Sequence, residues 1–419
     1  MRVKVFKLRN TNIITKQELR ITAVLAGIFS LRMLGLCMLL PIFAVEALQY
    51  AHATPQLIGV AVGVYGLAQA GLQIPFGWLS DRYGRKPLIL VGLGMIMLGS
   101  LIGWFATSIY GLICGRLLQG CGSIGSVVLA TLSDHVDEKA RSSAMAILGA
   151  TIGVSFALAL VLGPWLNQNL GFSGVFAVIA VLAGICSMLV AIVPGKLEAA
   201  GDAEGGASPS RAGTSTMGTP AEAGPAASIY SALNGQLRVL NCGIFVLHAS
   251  LAALFLVIPI LLQQAGVVAN KLWQFYLLAI FAAMLVAWRV IKRGERAQNI
   301  DQVQILAIVG LLLAEVLLYT VNSWYGLLGS LILFFSAFCV LEASLPALVS
   351  KYATANNRGT AMGVYSCLQF LGVFVGGVVG GWLHSHFGTL AVLGFCVLLG
   401  AGWLVMNLSS LRRLIWRVA

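Results

Sequence analysis

Apolar residues in this chain run in long unbroken blocks, where a soluble helix would interleave them with polar positions every three or four residues. About 20 apolar residues at 1.5 Å rise per residue make a helix long enough to cross a bilayer. Blocks of that kind lie near 21–46, 56–79, 87–106, 109–132, 142–167 and 172–194. A second set lies near 237–265, 270–291, 302–320, 324–349, 359–384 and 388–411. The pattern predicts an all-α membrane protein of twelve transmembrane helices, arranged as six plus six.

Between the sets, GKLEAAGDAEGGASPSRAGTSTMGTPAEAGPAAS (195–228) has no apolar period and is rich in Gly, Ala, Ser, Thr and Pro. Such a segment buries too little surface to offset its ordering entropy, which predicts a flexible linker. The expected organisation is a cytoplasmic arm over 1–20, a six-helix bundle over 21–194, a cytoplasmic linker over 195–236, a second bundle over 237–411 and a cytoplasmic tail over 412–419.

The halves repeat at a constant offset of 217 residues. Ser133/Ser350, Arg141/Arg358, Ala144/Ala361, Met145/Met362, Gly163/Gly380, Trp165/Trp382 and Leu166/Leu383 match without a gap. Span five echoing span eleven in the same orientation implies two like-oriented, pseudo-symmetric bundles around a central axis.

Composition fits this reading. Of 419 residues, 59% are hydrophobic and 10% charged, too few charges to cover a water-exposed surface of this length. A net charge of +12 would suggest nucleic acid in a soluble protein. Here 23 of the 26 basic residues fall in segments that are cytoplasmic if the N-terminus is inside; Lys271 falls outside, and Arg32 and Arg116 lie within spans. The charge is therefore read as positive-inside topology with both termini cytoplasmic, and no nucleic-acid partner is expected. The N-terminal MRVKVFKLRN resembles a signal peptide, but the apolar run continues to about Leu48 and contains Arg32, so a retained first span is predicted. The eight cysteines sit in apolar segments without a CxxC pair and read as small packing residues, not metal ligands.

One polar knot stands out: GWLSDRYGRKP, residues 77–87. At Gly77 a neighbouring helix can approach closely. Asp81 can accept from amides at a helix N-terminus, and Arg85 can reach a second carboxylate, with Asp134 at the end of span four the natural candidate. Arg82 and Lys86 suit phosphate headgroups and topology. This knot resembles the G-x-L-x-D-R-x-G-R-R/K loop of the major facilitator superfamily. RLLQG (116–120) is similar to that family's span-four pattern, and GPWLNQ (163–168), with Gly163 and Pro164, to the span-five motif of its drug:proton antiporters, although Asn167 and Gln168 stand where glycines are usual. IFSLRMLG (28–35), YGLAQAGLQIPFGWLSDRYGRKP (65–87) and GTAMGVYS…FLGV (359–373) resemble the YajR-like subgroup. The resemblance implies a conformational switch in which Asp81, Arg85 and Asp134 latch the cytoplasmic side, with the start of span eleven receiving Asp81. The sequence adds a sliding surface, with Gly59, Gly63 and Gly66 on span two expected against Gly372, Gly376 and Gly380 on span eleven.

Ionisable groups deep in a span are costly and therefore candidates for function. These are Arg32, Arg116, His248, Glu315 and Glu342. The family resemblance places spans one, four, seven and ten around a cavity, so that Arg32, Arg116, His248 and Glu342 face it and Glu315 sits more peripherally. Glu342 and His248 are the candidate proton carriers; static pairs Arg32–Glu342 and Arg116–Glu46 are the alternative reading. Tyr65, Gln69, Gln73, Phe43, Phe255 and Phe338 are candidate substrate contacts.

The expected function is proton-coupled export of a small amphipathic compound from the bacterial inner membrane by a monomer, with no cofactor beyond the proton gradient. The alternatives are a proton-coupled importer of a sugar or metabolite, and a non-transporting sensor or scaffold, which would call for an output domain that neither linker nor tail resembles. No HExxH, GxSxG or Walker loop points to an enzyme.

Overall fold

A computed structural model of the chain describes residues 16–136, 138–192, 233, 235–297, 300–321, 323–353 and 358–407. The linker and tail expectations fall on residues 193–232 and 408–419, and most of the N-terminal arm on 1–15; these lie outside the described residues.

The described residues are helical throughout their long elements and supply twelve spans, two of them within one long helix. Span one is two helices, Lys16–Met38 and Leu40–Glu46; span two is Pro55–Tyr83 and span three Arg85–Phe105. Span four is again divided, into Ile109–Cys121 and Gly125–His135. Spans five and six share the helix Glu138–Ile192, which breaks at Gly171. Spans seven to twelve are Gly235–Gln264, Leu272–Ala297, Ile300–Thr320, Trp324–Tyr352, Arg358–Phe387 and Thr389–Met406.

Local chemistry sets the boundaries. Thr54 caps span two, its Oγ1 accepting from the Leu57 amide at 3.2 Å, with Pro55 at the first helical position. Ser108 and Ser323 cap spans four and ten in the same way. The corner between spans five and six needs positive φ at Gly171 (73°), and that between eleven and twelve needs it at Gly388 (80°). These positions are 217 residues apart, so the repeat seen in sequence recurs in backbone conformation, at a turn where a side chain would be strained.

Large apolar side chains such as Phe105 and Leu398 point outward, more than 70% exposed, as lipid-facing surface requires. Within the first half the helix carrying spans five and six packs on spans one and three; within the second, span seven packs on spans eleven and twelve. The halves meet along three seams: span two with span eleven, the helix of spans five and six with span eight, and the second segment of span one with span seven. Phe156 adds a contact to span ten, its ring 5.6 Å from Phe338 and 6.5 Å from Phe335.

The first seam is made of backbone. A Cβ on Gly59 would strike the Gly377 carbonyl and the Gly381 Cα; one on Gly63 or Gly66 would strike the carbonyl of Phe374 or Phe370. The partners expected for these glycines are thereby corrected. Gly372, Gly376 and Gly380 face span seven instead, against Phe245, Ala249 and Ala253. Five residues make about 1.4 helical turns, so Gly372 and Gly377 point to different faces, and span eleven uses one glycine face for each neighbour. The tight contact continues to Cys367, whose Sγ is 3.5 Å from the Ala70 carbonyl. At the opposite end, Gly381 packs against Pro55 and Gly59, and Ala44, Ile58, Leu256 and His384 line a small cleft beside that contact.

Candidate functional site

Three polar clusters stand out inside this frame. The first lies at the predicted cytoplasmic end, where Gly84 (φ 92°) turns the chain from span two to span three. Arg85 is the hub: its Nη1 is 2.5 Å from Asp81 Oδ1, and its Nε donates to Asp134 Oδ2 at 3.0 Å. It also donates to Ser80 Oγ at 2.6 Å, which in turn donates to the Gly77 carbonyl at 2.7 Å. Arg85 is largely buried while both carboxylates are roughly half exposed, so screening keeps the pairs weak in stability terms. Their value is geometric: they fasten the turn after span two to the end of span four.

Three expectations for this knot change. Gly77 meets only Ser126, at an ordinary 3.7 Å from where a Cβ would be, so close approach is not what selects it here. Lys86 donates to the Ala191 carbonyl at 3.1 Å, capping the negative end of span six. Arg82 lies over the rings of Trp78 and Tyr83 at 5.9 and 5.7 Å. The first turn of span eleven, expected to receive Asp81, adjoins residues 354–357, which lie outside the described residues.

The second cluster occupies the middle of the first half. Gly120 lets span four close on span two, since a Cβ there would meet the Tyr65 carbonyl. That approach stacks the Arg116 guanidinium over the Tyr65 ring, 4.6 Å from its centroid, with Phe43 5.9 Å away. Arg116 Nη1 donates to Gln119 Oε1 at 3.0 Å, and Gln119 is itself fixed to Ser100 at 2.8 Å. Arg32 donates to the Tyr65 hydroxyl at 3.3 Å, and Gln69 donates to the same oxygen at 2.8 Å. Gln73 accepts from Ser123 at 2.7 Å, in the interruption of span four. Neither arginine has a carboxylate within 4 Å among the described residues. The alternative pairs are therefore corrected: Glu46 accepts from Asn167 at 2.8 Å, and Glu342 belongs to the third cluster.

That third cluster lies in the second half. His248 Nε2 is 3.8 Å from Glu342 Oε2, and Gln369 of span eleven reaches both, 2.9 Å from His248 Nε2 and 3.2 Å from Glu342 Oε1. The contacts fit an imidazole protonated at Nδ1, which faces the Ile244 carbonyl at 3.3 Å, with Nε2 accepting from the amide. The Phe338 ring lies 5.7 Å from that of His248. Cys37 of span one lies within electrostatic reach of Arg32, Arg116 and Glu342.

The sequence profile of the Major Facilitator Superfamily matches residues 25–300. The chain is 39% identical over 397 residues to the inner membrane transport protein YajR of Escherichia coli (strain K12), covering 94% of this chain and 83% of that one. The chain belongs to the major facilitator superfamily.

Members of this superfamily are transporters, not enzymes, and work without a cofactor. The chain is also 33% identical, over 170 residues, to a uridine/deoxyuridine transporter of Lactococcus lactis subsp. cremoris (strain MG1363), covering 40% of this chain and 35% of that one. The human organic anion transporter MFSD10 (TETRAN) shares the superfamily fold, with a TM-score of 0.67 at 19% identity, covering 93% of this chain and 99% of that one.

Not every candidate joins a cluster. Glu315 is fully buried against Gly400 of span twelve, apart from the other ionisable groups. Phe255 packs among Tyr276 and Phe335 as core. Gly163 gives span five its approach to Met38, where span one changes helix; Pro164 follows it inside the same helix. Sequence reasoning missed Ser80, Gln119 and Gln369. A lone amide in the apolar run GVYSCLQFLGV was the available signal for the last.

Proposed function

We propose that this chain is a proton-coupled secondary transporter of the bacterial inner membrane, acting as a monomer with both termini cytoplasmic. It exports small amphipathic compounds by rocking its two halves about a central site. The observation that carries the reading is the His248–Glu342–Gln369 cluster, which combines two ionisable groups with an amide from span eleven. A proton arriving at Glu342 or His248 changes what Gln369 can donate to, and Gln369 rides on the helix that forms the seam with span two. Moving one proton across 100 mV supplies about 2.3 kcal/mol, enough to bias a two-state rocker. The close contact of Gly381 with Pro55 and Gly59 supports a state closed towards the external end, and the Asp81–Arg85–Asp134 knot is the latch of the cytoplasmic side in this cycle.

The test is flux in proteoliposomes. Glu342→Gln is expected to keep substrate exchange and lose substrate-driven proton movement; undiminished proton movement in that variant removes Glu342 as the carrier.

A further inference from the structure

Among the described residues, the second cluster holds two guanidinium charges with no carboxylate partner. Arg32 is 7% exposed and Arg116 3%, and no carboxylate lies within 4 Å of either among the described residues. Each guanidinium offers five N–H donors. Arg32 uses a terminal nitrogen on Tyr65 and Arg116 one on Gln119, while the Nε of both is buried without a partner. Buried charge is normally paired, and leaving it unpaired is costly. A fold that keeps two such charges side by side around one tyrosine is arranged to receive the missing negative charge from outside the chain.

A second, independent feature points to the same place. Span four is interrupted between Cys121 and Gly125, and its second segment, Gly125–His135, starts a new helix N-terminus inside the bundle. The first amides of a helix have no intrahelical acceptor and carry the positive end of its dipole. At Gly125 a Cβ would sit 3.8 Å from Arg32 Nη1 and 3.5 Å from Gln73 Nε2, so this positive helix end opens onto the arginine. Discontinuous membrane helices present their N-termini to anionic substrates in this way. The neighbouring surfaces are aromatic: Phe29 lies 5.7 Å from the Arg32 guanidinium, and Phe43 and Tyr65 flank that of Arg116.

We propose that Arg32, Arg116, Tyr65 and the Gly125 helix end form the seat for the anionic group of the transported compound, and that the substrate is therefore an organic anion with an apolar or aromatic body. This rests on the transporter reading for its function but not for its chemistry. Loading the seat neutralises charge in the first half, while protons load Glu342 and His248 in the second.

The experiment uses the full chain in nanodiscs of neutral phosphatidylcholine, with four naphthyl probes of matched size: 2-naphthoate, 2-naphthalenesulfonate, 2-naphthylmethanol and 2-naphthyltrimethylammonium. The two anions are expected to raise the melting temperature, and the alcohol and the ammonium to leave it unchanged. Arg32→Gln or Arg116→Gln should weaken anion binding roughly tenfold to a hundredfold, the loss of one charge-assisted contact, and Arg→Lys should restore part of it. Failure of both anions to stabilise the wild type overturns the proposal, as does an equal response in the Arg32→Gln/Arg116→Gln double variant. Adding phosphatidylglycerol separates two sources of the anion: competition with 2-naphthoate assigns the seat to a lipid headgroup, and its absence to a soluble compound. Counterflow of the same probes tests the transporter reading separately. Arginine-dependent binding without flux of any probe leaves the seat standing and removes transport. Flux of the ammonium with none of the anions keeps transport and removes the seat.

Discussion

Gln369 donates to Glu342 across 3.2 Å, tying span eleven to span ten at the depth where His248 also lies. One amide thus serves an acid and an imidazole, and it does so from a helix whose other faces touch spans two and seven. Gln369→Leu would leave Glu342 Oε1 and His248 Nε2 without this donor. The expected result is a loss of about 1–3 kcal/mol in stability and a larger relative loss of proton-coupled flux than of passive exchange. Parallel loss of both would mean that the amide only supports the fold.

The Arg85 hub predicts a different balance. Because Asp81 and Asp134 are roughly half exposed, Asp134→Asn should cost no more than about 1 kcal/mol in stability, visible as a small change in melting temperature. Turnover should fall several-fold, since the tie between the turn at Gly84 and span four is broken. Wild-type turnover in Asp134→Asn and Asp81→Asn alike would remove the knot from the transport cycle.

Glycines of the seam separate by their neighbours. Gly377→Leu places atoms where Gly59 and Gly63 backbone now stands, and overpacking of this kind costs roughly 1–3 kcal/mol or more. Gly394→Ala meets nothing within 4 Å and should be silent or slightly stabilising. Comparing melting temperatures of the two variants checks the assignment, with Gly376→Leu expected to behave like Gly377→Leu through its contact with Ala249.

Tyr65→Phe keeps the ring beneath Arg116 and removes the oxygen shared by Arg32 and Gln69. A stability loss of about 1–3 kcal/mol is expected from the orphaned donors, measured by thermal denaturation. Tyr65→Leu, which also removes the stack, should lose more.

Much of this architecture was legible in the chain itself. Span count and repeat followed from hydropathy length and the 217-residue offset, and Arg85–Asp134 from charge placement at two helix ends. The interruption of span four was not legible, because Gly122 and Gly125 are as common in packed membrane helices as in broken ones. The glycine pairing went astray because spacing alone fixes a stripe but not which neighbour it meets: Gly376 and Gly377 are adjacent in sequence and face opposite helices. The alternative pairing of Glu46 with Arg116 fails because Asn167, a departure from the usual glycine, donates to Glu46 instead.

Carbonyls and α-carbons, not interlocking side chains, line the join between Gly59 and Gly377. No rotamer has to flip for that join to part, so its two borders can separate as a zip does, in one stroke and without leaving teeth behind. The same bareness makes it intolerant: a single methyl group added to either border acts as a doorstop.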